Sequence, residues 1–282
     1  MSVDAERMEL RPVKGPSAVG GGGKRFSELL YLISVTEFKK TYFGTVLGYV
    51  WSLLRPLLLF GVLLFVFTKI VRVGSGVPHY PVLLLMNVVL FGFFSESTGA
   101  SVLSVVGQEG VVRKTQFPRL VIPLSVVLTS LFNLAVNLIV VLIFILAFGV
   151  SPQWTWLLFP LVVAVLFTFA TAVSLFLSSL YVRFRDTAII WSVVASALFY
   201  ATPVIYPIEV VPQAYRDLIF LNPLTPLFEQ ARKWIIDPNA PSAASAAGGW
   251  THLLPAIAIF VGVCVLGVWY FNREAPRIAE EL

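Results

Sequence analysis

The stretch from Val121 to Gly149 reads VIPLSVVLTSLFNLAVNLIVVLIFILAFG, and no Asp, Glu, Lys or Arg interrupts it. About 20 predominantly apolar residues suffice for a helix to cross the ~30 Å hydrocarbon core of a bilayer. Similar runs recur on both sides, and the spacing predicts six spanning helices at approximately 46–70, 81–104, 121–149, 157–181, 188–206 and 252–271. The whole chain agrees with that reading. Of its 282 residues 58% are hydrophobic and only 12% are charged, against about 25% charged in a soluble domain. So few charges cannot cover the surface of a soluble fold of this size, and disordered chains are poor in apolar residues. The expected fold class is therefore an all-α integral membrane protein.

Orientation follows from where the 20 basic residues lie. With the N-terminus inside, fourteen fall in inner segments and five in outer ones, and Arg55 lies within a span. That excess places both termini in the cytoplasm, as six spans also require. The net charge of +5 is thus positive-inside charge, and the reading assigns no nucleic-acid partner. Residues 1–24 read as a cytosolic tail without an apolar signal region, ending in Gly20-Gly21-Gly22-Gly23-Lys24. Those glycines do not make a phosphate-binding loop, because Ala18 and Arg25 stand where Gly and Ser or Thr are needed.

Phe26 to Phe43 mixes Leu29, Leu30 and Ile33 with Glu28, Glu37, Lys39 and Lys40. It is too charged to span and suits an amphipathic helix lying in the headgroup region against membrane lipid. Gly44 and Gly48 have a GxxxG spacing that lets helices approach closely. The loop 207–250 is too long for a turn and too apolar for a free loop. It reads as short helices, broken by Pro212, Pro223 and Pro226, that dip into the outer leaflet and return; a small external cap is the alternative. Residues 238–249 read as a plain linker. The domain plan is a tail at 1–24, one membrane domain at 25–272 and a C-terminal tail at 273–282.

The polar residues do not compose a catalytic set. His79 and His252 lack metal-ligand spacing, and the lone Cys264 excludes an intrachain disulfide. Glu96 is the one clear acid at mid-span, whereas an intramembrane enzyme needs converging acids or a nucleophile with its base. No metal site is expected. A charge near a helix centre costs ~2.5–3.5 kcal/mol on insertion scales, so Arg55 and Glu96 require a reason. Antiparallel packing of spans one and two puts them at similar depth. They form an ion pair, face a wet cavity, or snorkel. Asn133 and Asn137 share a face of span three, and Thr168, Thr171, Ser174 and Ser178 form a stripe on span four. Aromatic residues crowd the outer side, either as an interfacial belt or as a stacking surface for the C–H faces of sugars. Gln108 to Arg119 is charged and amphipathic, and suits a short inner helix that docks on another protein.

Three ordered motifs carry a family resemblance. They are EFKKTYFGTVLGYVWSLLRPL from Glu37 to Leu57, KTQFP from Lys114 to Pro118, and TPVIYP from Thr202 to Pro207 followed by LNPLTPL from Leu221 to Leu227. Together, over residues ~26–275, they resemble the type-2 permeases of ABC transporters, in particular the branch exporting O-antigen, capsule, galactan and teichoic-acid polymers. The resemblance implies a homodimer of this chain with two copies of a separate nucleotide-binding ATPase, in the bacterial plasma (inner) membrane. The chain itself would be a transport subunit, not an enzyme, binding no cofactor; ATP and Mg would sit on the partner. The resemblance also implies coupling contacts at Gln108, Glu109, Arg113 and Lys114, with a second inner contact at Arg183, Arg185 and Asp186. A lipid-linked polysaccharide would pass a path or gate whose expected aromatic residues are Tyr42, Trp51, Phe199 and Tyr200, then Tyr206, Phe220, Phe228 and Trp234. Export of a drug or small lipid is the rival within the family. An ion-coupled secondary transporter is the rival outside it, although no repeat relates 46–149 to 157–271.

Overall fold

The computed structural model describes residues 23–42, 50–72, 76–108, 110 and 118–275. Ten α-helices are used below: α1 Gly23–Tyr42, α2 Val50–Phe65, α3 Tyr80–Gly107, α4 Val121–Ala147, α5 Phe159–Arg183, α6 Thr187–Ala201, α7 Gln213–Ile219, α8 Leu224–Ile235, α9 Ala243–Ala246 and α10 Trp250–Glu274. The π-helical turn Val66–Ile70 extends α2, and the 3-10 turn Trp154–Leu158 leads into α5. Among the described residues, five helical segments are long and apolar enough to cross a membrane: Val50–Ile70, Tyr80–Gly107, Val121–Ala147, Trp154–Arg183 and Trp250–Glu274. The sixth expected span, 188–206, is helical only over Thr187–Ala201, 15 residues, which is roughly 22 Å at 1.5 Å per residue. It stops where it does because Thr202, at ψ 143°, precedes Pro203, and the proline ring drives its predecessor out of the helical region.

The helix α3 is the centre of the packing. Pro81 lies in its first turn and its flanking His79 sits at φ 51°, so the chain enters the helix abruptly. From Val82 to Leu90 every side chain is buried, as expected of a helix that is apolar on all faces and enclosed by others. It packs against α4, α5 and α6, and α5 in turn packs against α10. Aromatic rings tie this layer together: Phe94 stacks on Phe169 at 5.7 Å, and Phe169 stacks on Phe260 at 5.3 Å. The helix α2 behaves differently, with Leu58, Val62 and Phe65 each more than half exposed. It leans on the bundle through Phe60, whose ring meets Phe144 edge-on at 5.6 Å.

The amphipathic helix expected from Phe26 is α1. It packs along α4, where Thr129 donates to the Ser34 carbonyl at 3.2 Å and Phe38 meets Phe132 at 5.7 Å. Tyr31 and Leu32 are exposed. The GxxxG pair at Gly44 and Gly48 lies outside the described residues.

Residues 238–249 are folded, not the plain linker their composition suggested. Ser242 caps α9 by accepting from Ser245 N at 3.2 Å. Ala243, Ala246 and Ala247 pack with Ile208, Phe220 and Leu253 into a small second core. Small side chains there permit a tight turn that an unstructured reading overlooks.

At the other end of the bundle α5 and α10 approach closely at Gly267. A Cβ placed on Gly267 would overlap the Ala172 carbonyl of α5, whereas Gly262 has open space around it. Gly267→Leu is therefore expected to lower the unfolding free energy by about 1–3 kcal/mol, the usual range for overpacking. Gly262→Ala should be neutral or slightly stabilising. Thermal unfolding of the purified variants in detergent checks the pair.

Candidate functional site

Two polar constructions interrupt the apolar bundle. The first is a cavity of about 740 Å³ between α2, α3 and α4. Trp51, Ser52, Arg55, Pro56 and Leu59 of α2 line it on one side. Its polar wall comprises Ser52, Arg55, Glu96, Ser130, Asn133 and Asn137, facing an apolar wall that includes Trp51, Val89 and Phe93. Asn133 donates its amide to a Glu96 carboxylate oxygen at 2.7 Å, joining α4 to α3. Asn137 donates to the Ser52 carbonyl at 3.3 Å and to the Asn133 carbonyl at 2.9 Å, joining α4 to α2. Arg55 acts on Glu96 through its charge, and both side chains face the open cavity. A carboxylate and a guanidinium on the wall of a space this size can keep water beside them, which lowers the cost of holding charge at mid-span.

The Ser and Thr stripe of span four does little to join helices. Thr168 and Thr171 donate back to carbonyls of their own helix, at 2.8 and 2.7 Å. Ser174 reaches α3, donating to the Ser97 carbonyl at 3.4 Å. Hydroxyls can always find the carbonyl four residues back, so spacing alone does not separate the two outcomes. Trp191 of α6 supplies a cross-helix bond that the sequence reading missed, donating its indole N–H to Thr98 Oγ1 at 3.1 Å.

The second construction is the cap between α6 and α10. After α6 the chain is non-helical, and its carbonyls are taken up by α3. Tyr80 donates to the Ile205 carbonyl at 2.7 Å, and Asn87 to those of Pro203 and Val204 at 3.0 and 3.4 Å. Asn222 donates to Thr202 Oγ1 at 2.7 Å, while its own carbonyl oxygen accepts from Leu224 N at 3.0 Å and so starts α8. On the far side, Trp156 donates to the Ile235 carbonyl at 3.0 Å. Neither Tyr80 nor Asn87 stood out in the sequence, because an isolated polar residue in an apolar run does not say what it bonds.

The cap also holds an ion cluster. Arg232, buried, donates to Glu209 at 2.8 Å and lies 3.6 Å from Glu229, which is 3% exposed. Burial pushes the Glu229 carboxyl up to about 7, against the pull of Arg232 and with a push from Glu209. The only signal in the sequence was charge placed on an otherwise apolar short helix.

The expected path residues divide in two. Trp51 is half exposed on the cavity, and Tyr200 is 65% exposed. Phe199 packs edge-on against Phe91 and Tyr200, at 5.2 and 5.3 Å, and Tyr206 donates its hydroxyl to the Tyr200 carbonyl at 2.9 Å. Phe220 and Phe228 are each 1% exposed. Phe220 packs in the small core of the cap and Phe228 in the main core of the bundle, so neither presents surface. Trp234 is half-buried beside α5 and α10. Of Tyr42 only the backbone, at the end of α1, is described.

Of the expected coupling residues, Gln108 ends α3, its N–H bonded to the Val105 carbonyl at 3.3 Å. Glu109, Arg113 and Lys114 lie outside the described residues. Arg183, Arg185 and Asp186 are exposed in the turn between α5 and α6. The two arginines lie over aromatic rings, Arg183 over Phe184 at 5.7 Å and Arg185 over Tyr181 at 5.1 Å.

Among the described residues, a helical bundle with five membrane-long helices defines a multi-pass membrane protein. The chain belongs to the ABC-2 type transporter family, whose family description matches residues 28–236. It is 31% identical over 242 residues to the O-antigen export system permease protein RfbA of Myxococcus xanthus, covering 84% of this chain and 92% of the relative. It is 30% identical over 260 residues to the RfbA of Klebsiella pneumoniae, covering 90% and 95%. The polysialic acid transport protein KpsM of Escherichia coli is 22% identical over 241 residues.

The Glu229 cluster makes the cap sensitive to pH. Between its ordinary 4.5 and about 7, the unfolded chain has released this proton while the folded chain keeps it. Stability is then fully present below pH 4.5, falls as pH rises to 7, and is flat above. The full swing is about 3 kcal/mol, at ~1.4 kcal/mol per pKa unit. Unfolding midpoints measured from pH 4.5 to 8 should show this slope, and Glu229→Gln should flatten it.

Proposed function

We propose that this chain is the transmembrane permease subunit of an ATP-driven exporter that moves a lipid-linked cell-envelope polysaccharide across the bacterial plasma membrane. The observation that carries this reading is the likeness to O-antigen export permeases at about 30% identity along nearly the whole of both chains. The more distant likeness to a polysialic acid transport protein points to the same class of cargo.

The working unit in this reading is a homodimer of this chain with two copies of a separate ATPase, which binds ATP and Mg and performs the hydrolysis. A hydrophilic polymer cannot dissolve in ~30 Å of hydrocarbon, and the central helix of a single bundle is buried by its neighbours. The poorly covered faces of α2 and α6, with Val62, Phe65, Ile189 and Val193 exposed, suit a second copy that closes a path between the two. Both termini are cytoplasmic. The helix α6 with the irregular turns beyond it makes the sixth crossing, and α7 and α8 re-enter the outer leaflet. The bonds from Tyr80 and Asn87 support that placement, since backbone polar groups at membrane depth must find partners within the protein.

Each part then has a physical task. The helix α1 lies at the inner interface, where a lipid anchor enters laterally. Trp51, Tyr200 and Tyr206 offer rings to the C–H faces of sugars, a contact weak enough for a polymer to slide past. Gln108, Glu109, Arg113 and Lys114, with Arg183, Arg185 and Asp186, receive the ATPase. ATP binding on the partner biases two arrangements of the helices, and these contacts transmit the bias.

The test is genetic and biochemical. Deleting the gene should abolish surface polymer and leave its lipid-linked precursor inside the cell, and the cloned chain should restore export. Glu109→Ala with Arg113→Ala should leave ATP hydrolysis by the purified complex within about twofold while transport falls at least tenfold. Export that persists without any ATPase partner would sink this reading.

A further inference from the structure

A second cavity, about 500 Å³, lies away from the polar one, between the cap-side ends of α5 and α10. Its origin is geometric. The two helices are in contact at Ala172 and Gly267 and still touch at Phe169 and Phe260. Beyond that ring stack the cap helix α8 is wedged between them, through Pro226, Leu227 and Trp234. A wedge at one end and close contact at the other leave a groove that narrows toward the middle of the bundle.

The walls are apolar, with Gln230 and Ser242 the uncharged polar residues among them. Gln230 is engaged within the cap, accepting from Ala243 N at 3.1 Å. The lips carry Leu161, 55% exposed, and Ile257, 50% exposed. Both stand on spanning helices, so the groove opens sideways into hydrocarbon and not into water. Trp154 and Trp250, at 89% and 78% exposed, mark the headgroup level at its upper end. On α10 the lining runs from Trp250 to Phe260, roughly 15 Å at ~1.5 Å per residue. That depth is about half the ~30 Å hydrocarbon core, or one leaflet.

We propose that this groove is a binding site for one acyl tail of a bilayer phospholipid in the cap-side leaflet. The length of the groove and its apolar lining select the occupant. An alkyl chain is thin enough, matches the depth and asks for no polar partner. Left empty, the walls would forfeit their dispersion contacts. With no charged residue in the lining, recognition is of the tail and not of the headgroup. The inference stands apart from the identity of the cargo and rests only on the chain spanning a bilayer.

Native mass spectrometry of the full-length chain tests it, after reconstitution in phosphatidylcholine nanodiscs and mild extraction. The wild type should retain about one phospholipid per chain. Val165→Trp, which fills the groove, should reduce that retention at least fivefold. Ile139→Trp, on an exposed face of α4, should leave it unchanged, and phosphatidylglycerol should serve within about twofold as well. If Val165→Trp does not yield monodisperse protein, Leu161→Trp at the lip replaces it with the same expectation. Retention unaffected by the groove variants overturns the proposal. So does dependence on an anionic headgroup, or a switch from two-chain to one-chain particles without loss of lipid. Preferential retention of an added polyprenyl phosphate over phosphatidylcholine would reassign the groove to the cargo's anchor and overturn the phospholipid assignment. None of these outcomes alters the export test above.

Discussion

Asn87 and Tyr80 take up three carbonyls of a chain segment that has left the helix, and the cap depends on those bonds. In hydrocarbon an unpaired peptide group costs several kcal/mol, so a chain that ends a helix at Ala201 must find donors at once. The central helix provides them from within its first three turns. The turn that follows can then be short and irregular, α8 can start just after Asn222, and Glu229 and Arg232 can be buried behind it, with Glu209 meeting Arg232 from the surface. Replacing the amide of Asn87 by an alkyl group would remove the partner of two carbonyls together.

The same requirement explains the polar cavity. Charge is scarce in the spans, and Arg55 and Glu96 both border a space. Glu96 is held by Asn133, and Asn133 belongs to the helix whose Asn137 also fixes α2. The polar residues of α4 therefore do two things at once: they set how far α2 stands from the bundle, and they line the room thereby left. The outer face of α2 stays exposed at Leu58, Val62 and Phe65.

Much of the membrane architecture was legible in the sequence, because hydropathy over ~20 residues is a strong signal and five of the six expected runs are membrane-long helices. The shared location of Arg55 and Glu96 was legible as well, since antiparallel neighbours bring residues at matching depth together. The cap was less so. Its short helices were visible from the prolines, but Phe220 and Phe228 read as surface aromatics and are core. The alanine-rich 238–249 read as a linker and is folded. In such segments no period of hydrophobicity distinguishes inside from outside, and small residues pack well without advertising it. Exposed aromatics and buried ones have the same composition.

By itself, the sequence determined that this chain lives in a bilayer and where its apolar runs lie, because each is a sum over local composition. Only the tertiary structure decided which polar groups meet. The Asn87 bond spans 116 residues of chain and the Asn133 bond 37, separations at which no local pattern constrains the partner. The groove between α5 and α10 is likewise a consequence of one close contact at Gly267 and one wedge at Trp234, and neither has meaning until the helices are laid side by side.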